Sequence, residues 1–98
     1  MRERPFAEEK VGENRFLRQF STSDADEMVW HRDQEDRRIC LHRGAGWMLQ
    51  LDDELPRPLY LDEWHHIPAE VWHRLIVAGT DATDATIEVV KLQERTNG

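Results

Sequence analysis

His31, Asp33 and His73 are the residues of this chain whose types and spacing best suit metal chemistry. Two imidazoles and one carboxylate form the donor set of an open site for a divalent first-row metal. His31 and Asp33 are two positions apart, so a strand would point both side chains the same way. We therefore predict that these three residues bind a divalent ion of iron, manganese, nickel or zinc.

Other residues are predicted to complete this site. In a strand over residues 72–77, His73 shares its face with Leu75 and Val77, so an inward-pointing His73 would have an aliphatic lining. Trp47 is predicted to form a wall that excludes water. Gln50 is predicted to orient a ligand or a metal-bound water by hydrogen bonding. The expected ligand is a small molecule.

A different interpretation of the same residues involves no metal. Asp33 could simply form an ion pair with Arg32 or Arg37, and residues 32–38 would then be a solvated charged loop. An isolated histidine on a strand is more often a hydrogen-bonded structural or surface residue than a ligand. We assign that role to His42, His65 and His66. The spacing of the three candidate ligands alone leaves both interpretations open.

Size and charge exclude several classes of protein. The chain has 98 residues, enough for one domain, and a formal net charge of −7. An acidic balance argues against binding to a nucleic-acid backbone. No apolar stretch reaches the roughly 18 residues of a membrane span. Cys40 is the only cysteine, so no intramolecular disulfide can form, and no neighbouring pattern suggests a thiol nucleophile. We expect a cytoplasmic protein that binds neither nucleic acid nor membrane.

Short apolar runs separated by turn residues predict an all-β domain. Alternation supports strands, and no segment has helical spacing over ten or more residues. The predicted strands are residues 15–20, 28–33, 38–43, 47–51, 58–61, 64–67, 72–77 and 86–92. The segment Gly44-Ala45-Gly46 is predicted to form a hairpin turn. We expect a barrel over residues 14–93, a loosely ordered segment over 1–13 and a flexible tail over 94–98. Unpaired edges and four tryptophans are compatible with a homodimer.

The chain resembles the cupin superfamily, small β-barrels with two short motifs. The first motif aligns with His31, Asp33, Arg37 and Gly44, and the second with Asp62, Pro68, Glu70 and His73. The match covers residues 15–92 and implies a small double-stranded β-helix, or jelly-roll, barrel. Asp33 stands where the family has a second histidine, and Arg37 stands where it has a glutamate ligand. Asp62 and Glu70 replace both glycines of the second motif.

Two functions follow from these replacements. In the first, Asp33 serves as a ligand, and the protein is a metal-dependent oxygenase or related enzyme that acts on a small molecule. Arg37 would then bind a substrate anion or pair with Asp33. In the second, the cation of Arg37 repels a metal, because like charges a few ångströms apart cost several kcal/mol at an effective dielectric near 20. The barrel would then be a metal-free ligand-binding or structural module, with Arg37 in the cavity and paired with Asp33.

Overall fold

The computed structural model describes residues 6–23 and 29–92, which form eight strands. The strands are β1 (Phe6–Gly12), β2 (Arg15–Phe20), β3 (Arg37–Arg43), β4 (Trp47–Leu51), β5 (Arg57–Pro58), β6 (Trp64–Ile67), β7 (His73–Val77) and β8 (Ala85–Lys91). The prediction of an all-β domain is confirmed. Among the described residues, no helix is long and apolar enough to cross a membrane.

The strands form two antiparallel sheets that enclose one core. The larger sheet has the order β1-β2-β8-β3-β6, and the smaller has the order β5-β4-β7. Each sheet buries its apolar side chains in the same cluster, with Ile39, Ile87 and Val89 from the larger sheet and Leu49 and Leu75 from the smaller. The core therefore lies between the sheets, as in a small barrel.

Alternation along the strands decides which residues face this core. In β4, Trp47, Leu49 and Leu51 are buried, while the two residues between them are only partly buried. The same pattern holds in β7, where His73 and Leu75 are buried. Because side chains alternate across a sheet, an inward His73 necessarily lies above an inward Leu75.

Three expectations need correction. Residues 29–36 are not a strand, because His31 alone pairs there, in an isolated bridge with His73; Met28 lies outside the described residues. Residues 6–12, predicted to be loosely ordered, form β1 and pair with β2. The Gly44–Gly46 turn is not a hairpin, because β3 and β4 belong to different sheets. Both glycines do have positive φ, of 117° and 83°. The predicted tail at 94–98 also lies outside the described residues.

Candidate metal centre

Hydrogen bonds between distant segments hold His31 and Asp33 beside the start of β7. The backbones of His31 and His73 exchange two hydrogen bonds, with N–O distances of 3.0 and 2.8 Å. Further along, Glu70 N donates to Asp33 O at 2.7 Å, and Ala69 N donates to Asp36 Oδ1 at 2.7 Å. These hydrogen bonds therefore hold residues 31–36, which do not form a strand, against the turn that precedes β7.

The structure brings the three predicted metal ligands together. One donor atom from each of His31, Asp33 and His73 lies within 4.8 Å of the other two. His73 Nε2 is 3.3 Å from Asp33 Oδ2, and the two imidazole centroids are 4.3 Å apart. Two ligands with bonds of about 2.0–2.1 Å to a tetrahedral ion lie about 3.3 Å apart. The spacing of His73 and Asp33 is therefore that of two ligands to one ion.

Both histidines are held in the tautomer that a metal site requires. His31 Nδ1 lies 3.2 Å from Val29 O, and His73 Nδ1 lies 2.9 Å from Val71 O. A carbonyl oxygen only accepts, so each Nδ1 carries the hydrogen and donates it, which leaves Nε2 with a free lone pair in the neutral ring. Metal-binding histidines commonly donate their second N–H to a carbonyl in this way. Burial lowers the pKa of His31, which favours the neutral ring.

The two oxygens of Asp33 have different surroundings. Oδ1 forms an ion pair with Arg37 Nη2 at 3.1 Å. Oδ2 is buried, has no hydrogen bond among the described residues, and faces His73 Nε2. Burial alone would raise the pKa of Asp33, but nearby positive charge, including the Arg37 guanidinium, lowers it, so the carboxylate is charged. A buried anionic oxygen beside an imidazole lone pair is a fitting place for a cation, so these residues fit a divalent metal.

A cavity of about 40 Å³ adjoins His31 and His73. One water needs roughly 10–15 Å³ of such volume, so the cavity has room for about three waters or a small ligand group. Its lining is mainly aliphatic, with His31, His73, Arg18 and Arg37 as its polar members. Arg37 therefore lies within reach of both Asp33 and the cavity, which is the position that the motif alignment indicated.

Arg18 is a cavity residue that sequence reasoning missed. Its Nε lies 2.6 Å from Glu8 Oε2 on the neighbouring strand, and its side chain is largely buried. Alternation in β2 places Arg18 on the same face as Phe20, which is buried in the core. An arginine at a strand position that alternation places toward the core was the sequence signal that could have identified it.

Two predicted site residues lie elsewhere. Trp47 is 1% exposed and packs in the core, where its Nε1 donates to Thr83 O at 2.7 Å, and it does not line the cavity. Gln50 is on the outer face of β4, where its Oε1 accepts from Arg74 Nε at 2.9 Å. Since Leu49 points inward, its neighbour Gln50 must point outward. The structure therefore places both Trp47 and Gln50 away from the cavity lining.

The other histidines behave differently from the candidate ligands. His65 is buried with Nε2 3.1 Å from Glu63 Oε1, and His66 is exposed with Nε2 3.7 Å from Asp36 Oδ2. Both positions agree with the structural and surface roles expected for them. His42 lies on the outer face of β3 beside Cys40, where the carboxylates of Asp62 and Glu88 contact it, in agreement with a hydrogen-bonded surface residue.

No protein-family model matches this chain, and no curated protein matches it either. Solved structures do. An RmlC-like cupin with a double-stranded β-helix fold from Methanocaldococcus jannaschii is 18% identical with a TM-score of 0.65, covering 93% of this chain and 84% of that one. KdgF from Halomonas sp. is 13% identical with a TM-score of 0.64, covering 94% and 84%.

Iron(II) HppE is also similar, at 15% identity and a TM-score of 0.59 over 80% of this chain and 41% of that one. Identities this low establish the fold alone. The chain has the cupin fold, and the predicted small double-stranded β-helix barrel is confirmed.

Proposed function

We propose that this cupin-fold protein binds a divalent first-row metal through His31, Asp33 and His73 and acts on a small molecule in the adjoining cavity. The proposed activity is that of a non-haem metal-dependent oxygenase or a related enzyme. The observation that carries the proposal is Asp33 Oδ2, which is buried 3.3 Å from His73 Nε2 and has no hydrogen bond from any residue that the structure describes. The iron(II) form of HppE, a structure with this fold, supports iron among the candidate metals.

The protein's own residues have separable roles in this proposal. The Nδ1 hydrogen bonds to Val29 and Val71 hold the two imidazoles in the Nε2-donor tautomer. The mainly aliphatic lining would limit the contact of a bound ion with water. When bound, the ion would supply Lewis-acid or redox chemistry at a coordination position left open by three protein ligands.

Arg37 is the proposed substrate-binding residue. Its guanidinium pairs with Asp33 and Glu35 at 3.1 and 3.0 Å, and it also lines the cavity. Arg18 lines the same cavity, so two cations face a small volume. A ligand with one anionic group, such as a carboxylate, suits this environment because a charge-assisted hydrogen bond to arginine is strong where water is scarce.

Removal of one imidazole tests the proposal. Protein stripped of metal is titrated with Mn²⁺, and free Mn²⁺ is followed by electron paramagnetic resonance. Mn²⁺ prefers nitrogen and oxygen donors to thiolate, so it reports this site. We expect one ion to bind per chain and His73→Ala to weaken binding by at least 100-fold.

His66→Ala is the matched control, since it removes an exposed imidazole from β6. It should leave Mn²⁺ affinity unchanged. Equal affinity of the parent protein and His73→Ala, or no binding of Mn²⁺, Fe²⁺, Ni²⁺ or Zn²⁺ to the parent site, would contradict the proposal.

The second candidate function is a metal-free ligand-binding or structural barrel, and one observation favours it. Arg37 lies in the cavity and pairs with Asp33, which is the arrangement expected if the arginine replaces the metal charge. This candidate predicts that Mn²⁺, and its removal by a chelator, leave the stability of the protein unchanged. A homodimeric state and a cytoplasmic location remain predictions for either function.

A further inference from the structure

A second group of donor atoms lies outside the barrel, on the outer face of β3. Ile39 and Leu41 point into the core, so Cys40 and His42 point outward. Asp62 is held beside them by a hydrogen bond from its N to Leu41 O at 2.8 Å. The group therefore joins β3 to the segment that precedes β6.

The donor atoms are close enough for one ion. A thiol, an imidazole and a carboxylate donor from Cys40, His42 and Asp62 all lie within 4.8 Å of one another. His42 Nδ1 is 3.4 Å from Asp62 Oδ1, close to the separation of about 3.3 Å expected for two ligands of a tetrahedral zinc ion. Sulfur, nitrogen and oxygen donors are the set from which protein zinc sites are built.

The three donor residues differ in how deeply they are buried. Cys40 is 1% exposed although it is on the outer face, and its thiol has no hydrogen bond among the described residues. The side chain of Asp62 is 81% exposed and that of His42 is 36% exposed. The sulfur is therefore the buried donor of the group, and the imidazole and the carboxylate are its solvent-exposed donors.

A second layer of hydrogen bonds orients the imidazole. His42 Nε2 lies 2.8 Å from Glu88 Oε1, and Glu88 Oε2 in turn accepts from Arg15 Nη1 at 2.8 Å. An Nε2–H that donates to Glu88 leaves Nδ1 to face Asp62. A carboxylate that holds the second nitrogen of a metal-binding histidine is common in zinc sites. Trp64 packs edge-on against the same ring, with centroids 6.4 Å apart, and restricts its rotation.

We propose that Cys40, His42 and Asp62 form a second metal site, which binds a thiophilic divalent ion such as Zn²⁺. Cys40 would bind as the thiolate and release its proton to solvent, since the thiolate is the ligand form. A thiolate and the Asp62 carboxylate neutralise a divalent ion, and Arg15 offsets the charge of Glu88. Water would take the fourth position. The site would fasten β3 to the segment before β6, and it does not depend on the proposed inner metal.

Cobalt spectroscopy tests this site separately from the inner one. Thiolate bound to Co²⁺ gives a charge-transfer absorption in the near ultraviolet. Cys40 is the only cysteine of the chain and the inner donors contain no sulfur. We expect reduced, metal-free protein to develop this band on titration with Co²⁺, saturating at one thiolate-bound ion per chain.

Variants identify the remaining ligands. Cys40→Ser should abolish the band, and His42→Ala or Asp62→Ala should weaken the cobalt affinity measured from it by at least tenfold. His66→Ala and His73→Ala should leave the band unchanged. Circular dichroism and a thiol count establish that each variant is folded and reduced.

Two results would overturn the proposal. One is a saturating Co²⁺ titration of folded, reduced protein without the band. The other is a band of unaltered affinity in both His42→Ala and Asp62→Ala, since cobalt would then bind the thiol without the other two residues. Loss of Mn²⁺ binding at the inner site would leave the band intact, so the two proposals fail independently.

Discussion

The two donor clusters of this barrel have similar spacing but opposite surroundings. In each, three donor atoms lie within 4.8 Å, and an imidazole nitrogen lies 3.3 or 3.4 Å from a carboxylate oxygen. The inner cluster adjoins a cavity and has the cation of Arg37 as a neighbour. The outer cluster contains a thiol and has the carboxylate of Glu88 as a neighbour. Donor spacing alone therefore does not distinguish the two clusters; the neighbouring charge and the adjoining space do.

The pKa values of His31 and His42 are shifted in opposite directions in the two clusters. Burial lowers the pKa of His31 in the inner cluster. The hydrogen bond to Glu88, helped by Asp62, raises the pKa of His42 in the outer cluster. In the metal-free protein the inner ring favours its neutral form and the outer ring its charged form. Of these two rings, His31 favours the form that binds metal, whereas His42 must lose a proton first.

The largest expected effect is on stability in the presence of metal. An ion that binds only the folded state stabilises it by about 2.7 kcal/mol per site at a free concentration of 100 times the dissociation constant. We expect Zn²⁺ to raise the free energy of unfolding in urea, and a chelator to reverse the effect. Cys40→Ser and His73→Ala should each remove the contribution of one cluster. If Zn²⁺ stabilised the double variant of Cys40→Ser and His73→Ala as much as the parent protein, neither cluster would be responsible for the stabilisation.

Substitution of Arg37 should have the next largest effect and should separate the clusters most clearly. Arg37→Met removes a cation beside the inner donors, so Mn²⁺ should bind at least tenfold more tightly, a gain of about 1.4 kcal/mol. The metal-free variant should lose about 1 kcal/mol of stability, because Asp33 Oδ1 loses its partner.

Arg38→Met is the control for this prediction, because Arg38 is the exposed neighbour on the other face of β3. It should change neither Mn²⁺ affinity nor the cobalt band. Weaker Mn²⁺ binding in Arg37→Met would show that the arginine supports the inner cluster instead of opposing a metal there.

The smallest expected effects are on the pH dependence of stability without metal, and they have opposite signs. His42 has a raised pKa, so its contribution is present below the unfolded value of 6.5 and is lost as pH rises through the folded pKa. His31 has a lowered pKa, so the unfolded state takes up the proton first and stability is lost as pH falls below 6.5.

Unfolding in urea between pH 5 and pH 9 measures both changes in the free energy of unfolding. We expect each change to be on the order of a few tenths of a kcal/mol, because the His42 pair is partly exposed. His42→Asn should remove the loss at high pH, and His31→Asn should remove the loss at low pH. Slopes of the same sign for the two histidines would contradict the contrast drawn between the clusters.

Alternating apolar residues predicted most of the fold. The strands Arg15–Phe20, Trp47–Leu51 and Trp64–Ile67 have the predicted bounds. Their inward positions are apolar because one face of each strand packs in the core. The strand predicted at 28–33 is absent from the described residues 29–33, where only the bridge at His31 is present. That segment is shaped by hydrogen bonds to residues 69–73, which no local pattern reveals.

The glycine positions of the aligned motifs have left-handed backbone even where glycine is replaced. Asp62 and Glu70 stand where the cupin motif has glycine, yet their φ angles are 63° and 65°. Gly44 aligns with the glycine of the first motif and has a φ of 117°. Left-handed backbone is costly for non-glycine residues. The tertiary structure maintains this conformation here, for example through the hydrogen bond from Glu70 N to Asp33 O.

The sequence by itself determined most of the strands, their inward faces and the availability of His31, Asp33 and His73 as donors. Local alternation and residue chemistry are sufficient for these features. Tertiary structure alone decided that Arg18 lines the cavity, that Trp47 and Gln50 do not, and that Asp62 meets Cys40 and His42 outside the barrel. The physical reason is that alternation states whether a side chain faces in or out, whereas pairing between distant strands decides which residues it contacts.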